Sequence, residues 1–82
     1  MKITMIGTGY VGLVSGTCLS ELGHHVTCMD KDRAKIAMLE QGRIPIYEPG
    51  LEARVEKNVK EERLRFTADL ADAMEGARAV FI

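Results

Sequence analysis

The sequence predicts an α/β protein built on a doubly wound parallel sheet with strand order 3-2-1-4. Three observations point there. Four short apolar runs have the length of buried strands: Ile3–Ile6, His25–Met29, Leu64–Thr67 and Ala79–Ile82. Segments with helical spacing separate them, so neighbouring strands are joined by crossovers and run parallel. A glycine cluster follows the first run at once. Right-handed crossovers then set the strand order.

Each element has its own local signal. Val11 to Leu22 is apolar or small at nearly every position, including Leu13, Val14, Cys18, Leu19 and Leu22. It reads as a helix buried on most sides. Gly23 suits its C-terminal stop because glycine takes positive φ without a Cβ clash. His24 and His25 then read as turn residues leading into the second strand. Asp32 can cap a second helix that runs to about Gln41, turns Ile36 and Leu39 toward the sheet, and stops at Gly42. Residues 44–50 hold both prolines of the chain and read as an ordered, non-helical loop that leads rigidly into a third helix, with Glu48 near the helix start. Contact between this loop and a cleft or neighbouring domain is the functional alternative. Leu51, Val55 and Val59 recur every four residues, giving the third helix a single apolar stripe. Glu56 and Lys60 lie on its wet face. Asp69 to Met74 reads as a brief fourth helix ended by Gly76. The methionines at 5, 29, 38 and 74 read as core or helix filler.

Length and composition narrow the function classes. Eighty-two residues make at most one small domain. Eleven basic and twelve acidic residues give a net charge of −1, so no basic stripe is available to follow a phosphodiester backbone, and no nucleic-acid partner is expected. No apolar run approaches the ~18 residues that a membrane helix needs, so no membrane association is expected either. Cys18 and Cys28 lack the spacing of a metal or redox pair and read as reduced core thiols of a cytoplasmic protein. No metal site is expected. The chain stops inside an apolar strand, which suggests a piece of a longer enzyme with a truncated sheet.

The chemistry-bearing motif is Gly7-Thr8-Gly9-Tyr10-Val11-Gly12. G-x-G-x-x-G alone is a weak signal, but here a strand ends before it and a helix starts within it. Gly7 permits the tight turn. Gly9 leaves room for a diphosphate to approach the backbone. Gly12 lets the helix pack close to the strand, and Gly16 repeats that role one turn later. The amides at the helix start, with the positive end of the helix dipole, suit phosphate. Asp30 ends the second strand, close to the distance of about 20 residues at which an acid meets the adenosine ribose of a Rossmann fold. A carboxylate there accepts from ribose hydroxyls and repels a 2′-phosphate, which favours NAD over NADP. Lys31 and Arg33 leave NADP as the alternative. Lys35, in the first turn of the second helix, is either a surface lysine or a ligand to the adenosine ribose or phosphate.

The chain is similar to the UDP-glucose/GDP-mannose dehydrogenase family over its whole length. The similarity is carried by Met1 through Gly16, by Val26-Thr27-Cys28-Met29-Asp30, by Lys35-Ile36, and above all by Gly42-Arg43-Ile44-Pro45-Ile46-Tyr47-Glu48-Pro49-Gly50-Leu51. That last segment is more specific than the glycine loop and argues against other Rossmann dehydrogenases, such as those for 3-hydroxyacyl substrates or 6-phosphogluconate. The resemblance implies that residues 1–82 are the N-terminal part of an NAD-binding domain, with the catalytic and substrate domains absent. It implies oxidation of UDP-glucose to UDP-glucuronate with two NAD in the whole protein, through a downstream cysteine that neither Cys18 nor Cys28 matches. GDP-mannose or a UDP-N-acetylhexosamine is the alternative substrate, and a non-catalytic dinucleotide-binding module is the alternative class. The family's cofactor contacts carry over to Gly7, Thr8, Gly9, Tyr10, Val11, Gly12, Asp30 and Lys35. No catalytic residue falls within the chain. The resemblance also implies a homo-oligomer for the full-length protein.

Overall fold

A computed structural model describes residues 1–44 and 49–81. The element order is β1 (Lys2–Ile6), α1 (Tyr10–Glu21), β2 (His25–Met29), α2 (Arg33–Glu40), α3 (Leu51–Lys60), β3 (Leu64–Thr67), α4 (Leu70–Met74) and β4 (Ala79–Phe81). The four strands form one parallel sheet in the order β3-β2-β1-β4. Sequence and structure therefore agree on fold class and strand order. Most of the loop expected over residues 44–50, including Glu48, lies outside the described residues, as does Ile82.

Side-chain alternation on the strands separates the two faces of the sheet. Ile3 and Met5 on β1, Val26 and Cys28 on β2, and Leu64 and Phe66 on β3 form one apolar face and are all buried. They join Leu13 of α1, Ile36 and Leu39 of α2, and Leu51 and Val55 of α3 in the core. Thr4, Thr27 and Arg65 lie at the alternate positions. Thr4 Oγ1 donates to the Ala73 carbonyl of α4 at 2.5 Å, and Arg65 pairs with Asp72 of α4 at 2.7 Å. Thus α1, α2 and α3 cover one face and α4 the other, the doubly wound arrangement.

The buried side of α1 differs from the expectation. Its buried residues are Leu13, Gly16, Thr17 and Ser20, while Val11 and Leu22 are 74% and 76% exposed and Cys18 is exposed. The helix is therefore not buried on most sides, and Cys18 is not a core thiol. Small residues face the sheet because the approach is close. A Cβ on Gly16 would lie 2.8 Å from Cys28 Sγ. The hydroxyls tolerate burial because each bonds back along the helix, Thr17 Oγ1 to the Leu13 carbonyl and Ser20 Oγ to the Gly16 carbonyl. Met5 is core, whereas Met38 and Met74 are substantially exposed. Glu56 and Lys60 are both exposed.

Three helices end alike. After α1, Gly23 (φ 99°) donates to the Ser20 carbonyl and His24 to that of Leu19. After α2, Gly42 (φ 81°) and Arg43 bond to Leu39 and Met38. After α3, Glu62 and Arg63 bond to Val59 and Asn58. These are Schellman motifs, which call for a left-handed residue. The third places a non-glycine residue there, Glu62 at φ 61°.

Candidate cofactor site

The candidate site lies where β1 and β2 end and α1 begins. Gly7, at φ 101°, turns the chain out of β1, and its amide donates to the Met29 carbonyl at 2.6 Å. Gly9 is the N-cap of α1 and gives the helix no side-chain cap. The first helical bond of this turn runs from the Leu13 amide to the Gly9 carbonyl. The amides of the turn before it therefore look out along the helix axis, and no acidic side chain lies in that turn to offset the positive dipole end. Tyr10 and Val11, which open the helix, are both exposed.

The glycines divide the work. A Cβ on Gly12 would stand 2.5 Å from the Gly7 carbonyl oxygen, so Gly12 is required for the turn and helix to pack together. A Cβ on Gly9 would meet nothing within 4 Å. The fold does not need glycine there, but a ligand seated close to the backbone does. This open cradle fits a diphosphate.

Asp30 sits across the turn. Its amide donates to the Thr67 carbonyl at 3.1 Å, continuing the β2–β3 ladder by one residue. Oδ2 accepts from the Thr8 amide at 3.2 Å and from Thr8 Oγ1 at 2.8 Å, and Oδ1 accepts from the Asp32 amide at 3.0 Å. Lys35 Nζ lies 3.8 Å from Oδ2, and the two side chains are 27% and 20% exposed. The Asp32 amide, then the Thr8 hydroxyl and amide, and last the Lys35 charge hold the Asp30 carboxyl below its ordinary pKa. It is therefore ionised at neutral pH. Asp32 is the cap of α2, accepting from the amides of Ala34 and Lys35. Asp30 is thus free of the capping role.

The eight sequence-predicted residues accordingly fall within one region, with one difference in how they face it. Thr8 is completely buried, with its amide and its hydroxyl both turned to Asp30. The sequence motif marks its position but not this orientation. His24 Nδ1 lies 3.2 Å from the terminal amine of Met1, and His25 opens β2. Among the described residues, no group of three or more His, Cys, Asp or Glu side chains could hold a metal ion. Burial pushes the Cys28 thiol up to about 12, which makes it inert as a nucleophile near neutral pH.

Residues 1–82 match the model of the UDP-glucose/GDP-mannose dehydrogenase family, NAD binding domain. The chain belongs to this family. UDP-glucose 6-dehydrogenase of Rhizobium meliloti is 57% identical over 82 residues, which is 100% of this chain and 19% of that protein. UDP-glucose 6-dehydrogenase TuaD of Bacillus subtilis is 56% identical over 81 residues, 99% of this chain and 18% of its own length. The chain therefore spans about a fifth of the length of these family members. Among solved structures, a ternary complex of GDP-mannose dehydrogenase from Pseudomonas aeruginosa superposes with a TM-score of 0.91 at 38% identity, covering 100% of this chain and 19% of that one. A UDP-glucose dehydrogenase from Pyrobaculum islandicum gives 0.92 at 34%, covering 99% and 19%. The family's description makes NAD the cofactor of this domain. The open cradle at Gly9 and the ionised carboxylate of Asp30 fit that dinucleotide.

Proposed function

We propose that residues 1–82 are the N-terminal part of the NAD-binding domain of a longer nucleotide-sugar dehydrogenase, and that this enzyme oxidises UDP-glucose to UDP-glucuronate. The chain's own contribution is to hold the cofactor. Gly7, Gly9 and Gly12 shape the turn, and the first-turn amides around Tyr10 and Val11 receive the diphosphate. Asp30 accepts from the adenosine ribose, and Lys35 supports the same end. Bound NAD supplies the hydride acceptor, at two NAD per sugar. On this reading the catalytic groups lie elsewhere in the protein: Cys28 is buried and protonated, and neither it nor Cys18 matches the downstream cysteine that the family resemblance implies. The observation that carries the site is the carboxylate of Asp30, fixed beside a glycine turn whose middle glycine faces open space.

The choice of UDP-glucose is supported by the 57% and 56% identity to relatives named for that substrate. The GDP-mannose dehydrogenase structure, at 38% identity, favours a second reading in which the base or sugar differs. A cytoplasmic location suits two free cysteines, and a homo-oligomer belongs to the same reading as what the family resemblance implies. Among the described residues no helix is long and apolar enough to cross a membrane. The test is NADH production by the complete protein with UDP-glucose, GDP-mannose and UDP-N-acetylmannosamine in turn. Two NADH per UDP-glucose are expected, and turnover confined to GDP-mannose would reject the substrate. Asp30→Ala should raise KM for NAD and narrow the preference over NADP. An unaltered cofactor preference in that variant would remove Asp30 from the site.

A further inference from the structure

A buried hydroxyl stands behind the carboxylate on which the proposed NAD site depends. Thr8 has no exposed surface, so its side chain cannot touch a ligand in the crevice. It touches Asp30 instead. Its hydroxyl and its amide donate to the same oxygen, Oδ2, at 2.8 and 3.2 Å, while the Asp32 amide donates to Oδ1 at 3.0 Å. A carboxylate offers about four acceptor positions. Thr8 takes two of them, both on Oδ2, and Asp32 takes one, which leaves an acceptor position on Oδ1. The Asp32 amide ties Oδ1 to the chain immediately following Asp30, in a local Asx-type turn. The Thr8 pair anchors the other oxygen to a separate element, the β1–α1 turn.

We propose that Thr8 is a positioning residue for dinucleotide recognition: its buried hydroxyl locks the Asp30 carboxylate so that the remaining acceptor of Oδ1 meets the adenosine ribose. This rests on the reading of Asp30 as the ribose acceptor. It assigns the second residue of the glycine motif a role distinct from that of the glycines. They make space, while Thr8 joins the diphosphate turn to the ribose acid so that both halves of the site move as one. The same donor also helps keep the carboxyl ionised.

The experiment uses the complete dehydrogenase with Thr8→Val, which keeps the branched shape and removes the hydroxyl, and Thr8→Ser, which keeps the hydroxyl. Loss of one hydrogen bond to a charged group predicts a KM for NAD raised about tenfold in Thr8→Val, a larger change than that in kcat. The acid limb of kcat/KM for NAD should move to higher pH, because the carboxylate has lost a donor to its ionised form. Thr8→Ser should restore both. In an Asp30→Ala background, Thr8→Val should add less than about twofold to KM, since the two residues act as a unit. Thr8→Ala supplies the same readings if Thr8→Val does not yield folded protein. An equal rise in KM with and without Asp30 would overturn the proposal, as would a Thr8→Val enzyme with normal KM beside a defective Asp30→Ala. A normal KM in Asp30→Ala itself removes the ribose reading, and Thr8's role with it.

Discussion

Alanine at Gly9 and alanine at Gly12 should fail in opposite ways, although the two residues are three apart in one motif. At Gly12 the new Cβ would lie 2.5 Å from the Gly7 carbonyl oxygen. Ordinary carbon–oxygen contacts begin near ~3.3 Å, so about 0.8 Å must be gained by moving backbone on one side or the other. Overpacking of this kind costs about 1–3 kcal/mol. Alanine recovers at most ~1 kcal/mol of helix propensity, and less in a first turn. The net loss is roughly 1–2 kcal/mol, which lowers the Tm of a domain this size by on the order of 5–15 °C. At Gly9 the Cβ meets nothing within 4 Å, and φ of −67° suits any residue. Alanine is a poorer N-cap than glycine, but it also restricts the unfolded chain, so the two terms offset to within ~0.5 kcal/mol. The methyl would instead stand where the proposed diphosphate approaches, and a clash worth about 1–3 kcal/mol there weakens NAD binding about 5- to 150-fold. Thermal unfolding and calorimetric titration with NAD on the same preparations give both numbers. If Gly9→Ala bound NAD normally, or lost as much Tm as Gly12→Ala, the division of labour between the two glycines would be wrong.

Two further predictions concern residues outside the motif. With its thiol pushed up to about 12, Cys28 holds only about one part in ten thousand as thiolate at pH 8. Alkylation at that pH should therefore label Cys18 and leave Cys28 until the protein unfolds; mass-mapped labelling of Cys28 in the native protein would contradict its burial. Glu62→Gly should raise stability by about 0.5–1 kcal/mol, because an L-residue at positive φ costs about 1–2 kcal/mol and glycine returns part of that gain through its freer unfolded chain. Denaturant unfolding with an unchanged midpoint would show that Glu62 bears no such strain.

Strands and helix ends were legible where local chemistry decides them. His25–Met29 and Leu64–Thr67 are short apolar runs that both lie inside a covered parallel sheet, and their bounds follow directly. Gly23 and Gly42 announce left-handed stops, and Asp32 announces a cap. The face of α1 was not legible, because its sheet side is chosen by closeness of approach rather than by hydrophobicity. Gly16, Thr17 and Ser20 go inside while Val11, Cys18 and Leu22 stay out. A count of apolar residues picks no face, because Leu13, Val14 and Leu19 lie toward the core while Val11, Cys18 and Leu22 lie away from it. The end of α3 was hidden for a related reason. Its Schellman motif is closed by the backbone pairing of Glu62 and Arg63 with Val59 and Asn58, and no glycine signals it. Asn58 is buried on that helix by bonds to Glu21 and Arg63, a network assembled from three elements that no single window of sequence contains.

The same distinction explains what the glycine motif could and could not reveal about the site. Spacing places Asp30 at the end of β2, since strand length and crossover handedness fix where that residue emerges. Spacing does not orient its carboxylate, which depends on a contact between residues 22 apart, Thr8 and Asp30. That contact exists because β1 and β2 are adjacent and in register, Ile6 beside Met29, so the residues just beyond both strand ends are brought side by side. The topology that builds the core is thus the same one that couples the glycine turn to the Asp30 carboxylate. A change that slips the β1–β2 register would misplace the carboxylate even with every residue of the motif intact.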